Sequence, residues 1–179
     1  MVEKRAPCKL FWGFRPVLDA PARPRYTHAM ALRIREFTMT DYDSAVALWQ
    51  SAEGIGLSQA DERHNIESFL RHNAGMSFVA EEDGRLVGAI LCGTDARRGF
   101  LHHLAVDRGR RRSGIGRKLV RHCLDALAAR GMRKCHIFVL ADNLEGKRFW
   151  KSIGWEERTT LVVMSHDVGP AARRAVPEG

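Results

Sequence analysis

Residues 99–118, GFLHHLAVDRGRRRSGIGRK, constrain the fold more than any other stretch of the chain. GFLHHLAV reads as a strand. After Ile115, apolar residues recur at Leu119, Val120, Cys123, Leu124 and Leu127, which is one face of a helix running to Arg130. A strand that turns through glycine into a helix N-terminus presents unpaired backbone N–H groups and the positive end of the helix dipole. Such an end binds anions, phosphates above all. Gly114 and Gly116 have no side chain to hold an anion off those amides, and Arg111, Arg112, Arg117 and Lys118 surround them with positive charge. A phosphate cradle is therefore expected here; the competing reading is a solvated arginine-rich turn. The P-loop pattern GxxxxGK[ST] is absent, and Leu119 stands where a dinucleotide fingerprint has its third glycine.

The flanking sequence alternates between strand and helix signals. Residues 32–37 alternate apolar and polar, as in a strand, and Thr40 and Asp41 can cap a helix over DYDSAVALWQSA. EGIGLSQAD is a polar loop, and a second helix is expected from Asp61 to about His72. MSFVAEEDGRLVGAILCG is a hairpin turning at Asp83-Gly84. Residues 134–140 form a further strand, NLEGKRFWKSIG a helix closed by Gly154, and WEERTTLVVMS a final strand. Residues 1–30, broken by APARPR, read as a disordered extension or as the product of too early a start, with Met30 the working start. A mitochondrial-type leader would want serine, which this stretch lacks. Residues 169–179 read as a flexible tail, leaving one domain over 31–168.

The length, 179 residues, suits one domain, and 45% hydrophobic with 28% charged residues is an ordinary globular balance. No apolar run is long enough for a membrane span. Four scattered cysteines form no CxxC pair, so free thiols in a cytoplasmic setting are expected and a zinc site is not. The net charge of +8 favours an anionic partner. A nucleic-acid role is disfavoured, because the charge concentrates at the glycine loop and no aromatic-studded strand or zinc pattern accompanies it.

The pattern Arg111-x-x-Gly114-x-Gly116, preceded by HLAV, resembles the acyl-CoA-binding signature of the GNAT superfamily of N-acetyltransferases, Q/R-x-x-G-x-G/A. NLEGKRFWKSIGW resembles that superfamily's later N-x-x-A-x-x-FY-x-x-x-GF segment, and the likeness covers residues 32–165. It implies an α/β (α+β) fold with a mixed, mostly antiparallel central sheet, flanking helices, and fourth and fifth strands splayed at their C-terminal ends. It also implies that acetyl-CoA is the acetyl donor, with no metal, and that an amine is the acceptor. A homodimer is compatible with it, since final strands in the superfamily often pair across dimers. Carried onto this sequence, the backbone of Leu104, Ala105 and Val106 would line the pantetheine arm. Arg111, Arg112, Ser113, Gly114, Ile115, Gly116 and Arg117 would cradle the diphosphate. Asn143 would either contact the pantetheine or cap its own helix, and Trp150 would either wall the thiol pocket or pack in the core.

The resemblance bears on chemistry at three further places. The Leu104 N–H is the candidate donor to the thioester carbonyl, where negative charge develops during attack. His102, two residues earlier and so expected on the same strand face as Leu104, is the candidate base. A catalytic histidine occupies this place in the arylalkylamine N-acetyltransferases, relatives in that superfamily; the competing reading is a core histidine. Glu81 and Glu82 are rival bases, His103 is expected on the opposite face, and Asp95 is a candidate for binding a cationic substrate. Many superfamily members protonate the leaving thiolate with a tyrosine after Phe149, but this chain has Trp150 there, whose indole N–H is no usable acid. A CoA-binding module without catalysis is the alternative that this substitution raises.

Overall fold

A computed structural model describes residues 31–168, so the expectations for 1–30 and 169–179 lie outside the described residues. Its centre is a five-stranded sheet in the order β1-β2-β3-β4-β5. The strands are β1 (Arg33–Glu36), β2 (Phe78–Glu82), β3 (Arg85–Thr94), β4 (Gly99–Val106) and β5 (Cys135–Ile137). The first four run antiparallel to their neighbours, and β5 lies parallel to β4. Four helices flank the sheet: α1 (Tyr42–Ser51), α2 (Arg63–His72), α3 (Ile115–Ala129) and α4 (Leu144–Ser152).

Burial explains the sequence pattern of each layer. β3 is central and covered on both faces, so it reads as a continuous apolar run, with residues from Val87 to Gly93 all buried. On one face Ile115, Leu119, Val120, Cys123 and Leu127 of α3 and Trp150 of α4 meet Ala80, Ile90, Cys92 and Leu101. On the other, Ala45, Leu48 and Trp49 of α1 and Ile66 of α2 meet Val79, Ala89, Leu91 and Ala105. Thr38 and Asp41 form a capping box at the turn before α1, in which Asp41 also takes two hydrogen bonds from Arg35. Burial works against the Asp41 carboxylate, but Arg35 and the Thr38 amide prevail and hold it below the usual range.

Two expectations need correction. The fifth strand stops at Ile137 rather than Leu140, and residues 155–165 form no strand. After α4 the chain is drawn to that helix instead: the Trp155 N–H donates to the Trp150 carbonyl at 3.0 Å, and Lys147 and Lys151 both pair with Glu157. Leu161, Val162, Val163 and Met164 follow as four consecutive apolar residues, which offer no alternation to a half-buried strand, and all are exposed.

The two regions should respond differently to truncation. Leu119→Ala, in the packed face of α3, should cost about 2–5 kcal/mol of unfolding free energy by urea titration. Val162→Ser should cost less than about 0.5 kcal/mol. A comparable loss from both would mean that residues 161–164 are packed after all.

Candidate active site

The pairing of β4 changes along its length. On the β5 side it lasts only from Gly99 to Leu101, opposite Cys135 to Ile137. β4 then continues to Val106 with no strand partner on that side, so the C-terminal ends of the two strands part. A gap with one bare strand edge is the result. Leu104, Ala105 and Val106 lie along it, with Leu104 and Val106 turned to the α3 face and Ala105 buried on the α1 face.

The arginine loop closes the end of this gap. Asp107 caps a short 3-10 turn over Arg108–Arg110 by accepting from the Gly109 N–H at 2.9 Å. The chain then takes two left-handed residues, Arg112 at φ +62 and Gly114 at φ +84, before α3 begins. The amides of residues 112–117 donate to no described residue, as expected for a helix start without a side-chain cap. Successive free amides through such a kink form an anion-binding nest on the positive end of α3. Gly114 is needed for its backbone angle, since a Cβ there would meet nothing within 4 Å. Gly116 has a different constraint. Its missing side chain lets α3 approach Phe149 of α4, whose Cζ would lie 3.3 Å from an added Cβ.

The cations divide into two groups. Arg108 pairs with Glu53 and Arg110 with Glu82, which ties the loop to the rest of the molecule. Arg111 lies across the gap, 3.5 Å from the Val106 carbonyl and 3.9 Å from Glu145. Arg112 and Arg117, both exposed, form no ion pair with the described residues. Ser113 donates its hydroxyl to the Arg110 carbonyl at 2.5 Å and steadies the kink.

The β4 histidines stand differently from expectation. A bulge shifts the β3–β4 register between Ala89 and Leu91, where the partners step from Ala105 to His102, and His103 takes φ +52. The extra residue breaks the two-residue alternation. His102 packs edge-on against Phe69 of α2, His103 packs against Trp49 of α1, and Leu104 faces α3. Both imidazoles thus share the α1–α2 face, and His102 is not on the face of Leu104. Burial pushes the His102 imidazole below its ordinary range; His103 adds to this and Asp61 opposes it. His103 has a partner that sequence reasoning did not single out: its Nε2 lies 2.6 Å from Asp61 Oδ1.

The remaining candidates fall elsewhere. Glu81 is two strands from β4 and is held by Arg35 at 2.8 Å. Asp95 accepts the amides of Arg97 and Arg98 in its own turn. Asn143 caps α4 through the Gly146 N–H at 2.7 Å and abuts Gly54, where no side chain would fit. Trp150 is buried in the core, with its ring 4.9 Å from that of Trp155. The described residues contain no group of side chains able to hold a metal ion, and no helix among them is long and apolar enough to cross a membrane.

A sequence model of the acetyltransferase (GNAT) family matches residues 34–155, a span that contains the sheet, the bare edge of β4 and the nest. The chain belongs to the GNAT acetyltransferase family. It is an acetyl-CoA-dependent N-acetyltransferase, and its curated relatives are named acetyltransferases. An acetyltransferase of Pectobacterium atrosepticum is 32% identical over 112 residues, 63% of this chain and 79% of the relative. One of Yersinia enterocolitica is 28% identical over 132 residues, 74% of this chain and 93% of the relative. Among solved structures, Ard1 of Thermoplasma volcanium is 26% identical with a TM-score of 0.62, covering 69% of this chain and 82% of that one. The PaiA N-acetyltransferase of Thermoplasma acidophilum, solved with coenzyme A, shares the fold at a TM-score of 0.66 and 17% identity, over 73% of this chain and 93% of that one.

The half-buried His102 of this acetyltransferase gives a pH signature. Its folded form resists protonation, so the unfolded chain binds a proton first, below about pH 6.5. His102 therefore costs no stability above that pH, an increasing amount as pH falls from there to its lowered folded value, and a constant amount below it. Stability by denaturant titration should drop more steeply between about pH 7.5 and 5 in the wild type than in His102→Gln. Parallel curves would refute the assignment.

Proposed function

We propose that the acceptor is a primary amine of a small molecule or peptide, and that it attacks the thioester of acetyl-CoA directly. The observation that carries this reading is the bare edge of β4 ending in a nest of free amides. Those two features suit the two halves of the donor. The nest and the unpaired Arg112 and Arg117 fit a diphosphate, and the edge at Leu104–Val106 fits an extended amide-bearing arm able to pair like a further strand. When bound, acetyl-CoA supplies the activated acetyl group. Arg111, across the gap, would swing to the phosphates, and Ser113 and Ile115 would hold the loop in shape. The Leu104 N–H would take the developing negative charge.

Proton handling follows from which groups are present. The amine must lose a proton before it has a lone pair to offer, and the β4 histidines face α1 and α2, which we take as the acceptor side. Glu81 is the weaker alternative because Arg35 neutralises it. Trp150 is packed in the core against Phe149 and Trp155, and its indole N–H is no acid for the sulfur. A thiolate with a pKa near about 8.5 leaves with no stronger acid than water. Asn143, with its oxygen engaged at the α4 cap, would contact the arm through its amide nitrogen.

Calorimetry tests the donor assignment. Acetyl-CoA should bind with an affinity that falls as salt rises. Arg112→Ala and Arg117→Ala should each weaken it about tenfold, the equivalent of roughly 1.4 kcal/mol. Thiol release with a panel of primary amines should identify the acceptor class. No heat with acetyl-CoA, or equal affinity in both variants, would defeat the proposal.

A further inference from the structure

Asp61 and His103 are brought together from positions 42 residues apart. The side chains are only 18% and 10% exposed, with Nε2 and Oδ1 at 2.6 Å. The carboxylate is oriented by its other oxygen: Oδ2 accepts the Ser58 N–H at 2.8 Å and closes the capping box of the turn before α2. The Tyr42 hydroxyl donates to the Asp61 carbonyl at 2.9 Å and pins that turn to α1. A carboxylate only accepts hydrogen bonds, so a neutral His103 imidazole bonded to it would carry its hydrogen on Nε2 and leave the Nδ1 lone pair free. Nδ1 makes no hydrogen bond to the described residues.

The backbone at His103 is itself a sign of function. A non-glycine residue at φ +52 within a strand is strained, and such strain collects at working sites. Glycine or asparagine would occupy the position at less cost. The bulge also sets the imidazole one residue from the Leu104 amide, beneath the loop that joins α1 to α2 and ends at Asp61. His102 lacks this arrangement; its ring lies against Phe69 and has no hydrogen-bond partner among the described residues.

We infer that His103, rather than its neighbour, is the proton acceptor for the incoming amine, and that Asp61 is the positioning residue that fixes its tautomer and orientation. The inference rests on the acetyl-transfer reading above and adds the base to it. Nδ1 takes one proton from the ammonium group and passes it to water. The freed lone pair forms the N–C bond to the acetyl carbon, the C–S bond breaks, and the second proton lost by the amine nitrogen ends on the departing thiolate. No oxidant or reductant takes part. The titratable neighbours of His103 are Asp61 and His102, with Tyr42 bound behind Asp61; the other residues on this face, Trp49 of α1, Ile66 and Phe69 of α2 and Leu91 of β3, are uncharged.

The test uses the full chain with acetyl-CoA and the primary amine that it turns over fastest. His103→Asn retains a residue that tolerates positive φ, and Asp61→Asn retains an acceptor for the Ser58 amide, so both should fold. His103→Asn should lower kcat/KM about 10²–10⁴-fold and abolish the rise of rate with pH through the imidazole range, leaving acetyl-CoA affinity unchanged. Asp61→Asn should lower kcat/KM about tenfold or more, and ¹⁵N spectra should show His103 changing from a single Nε2–H tautomer to a mixture. The assignment is overturned if His103→Asn stays within about threefold of wild type, if His102→Gln alone removes the pH dependence, or if the tautomer does not respond to Asp61→Asn. A wild type that binds no acetyl-CoA, or binds it and turns over no amine, removes the acetyl-transfer reading and this inference with it.

Discussion

β4 is held along its whole length by β3 but for only three residues by β5. That inequality organises the rest of the molecule. A parallel neighbour that kept pairing to Val106 would consume the strand edge and bury it. Because β5 ends at Ile137, the edge beyond Leu101 stays bare while the opposite edge remains locked into the sheet. Rigid on one side and unpaired on the other, the strand can bind an extended ligand without being disordered by the lack of a neighbour. Only the loop 107–114 separates the end of β4 from the start of α3, so free amides follow the bare strand edge directly along the chain.

Charge is distributed to keep that groove both shaped and receptive. Arg108 and Arg110 are neutralised by Glu53 and Glu82, acids on distant parts of the chain, and their work is to hold the loop down. Arg112 and Arg117 form no ion pair with the described residues. The same loop economy recurs at Asp61, where one carboxylate oxygen closes a turn and the other meets His103. The loop after α1 meets the arginine loop at Glu53–Arg108 and abuts the start of α4 where Gly54 lies against Asn143.

Much of this was legible in the sequence because it is local. The hairpin at Asp83-Gly84, the helix faces and the glycine loop all depend on neighbours within a few residues, and each formed as its pattern implied. The misreadings share a cause. Leu161 to Met164 have high strand propensity, yet Glu157 and Trp155 tie the chain to α4, and propensity gives way to that tertiary contact. His102 and His103 were assigned to opposite faces by strict alternation, and one inserted residue in the β3–β4 ladder put both on the same face.

Coenzyme A was indicated by the resemblance of Arg111-x-x-Gly114-x-Gly116 to a family signature, while the order of elements from β1 to α4 and the turn from β4 into α3 follow from short-range patterns of apolar spacing and glycine. Which histidine has a carboxylate beside it does not. Ser58 and Asp61 can be read as a capping box from their spacing, but a capping box says only where a turn begins. The meeting of Asp61 with His103 depends on how α1 and α2 settle against the sheet and on a bulge whose partner strand lies elsewhere in the chain. Those are sums of many weak contacts between distant residues, and no single stretch of sequence contains them.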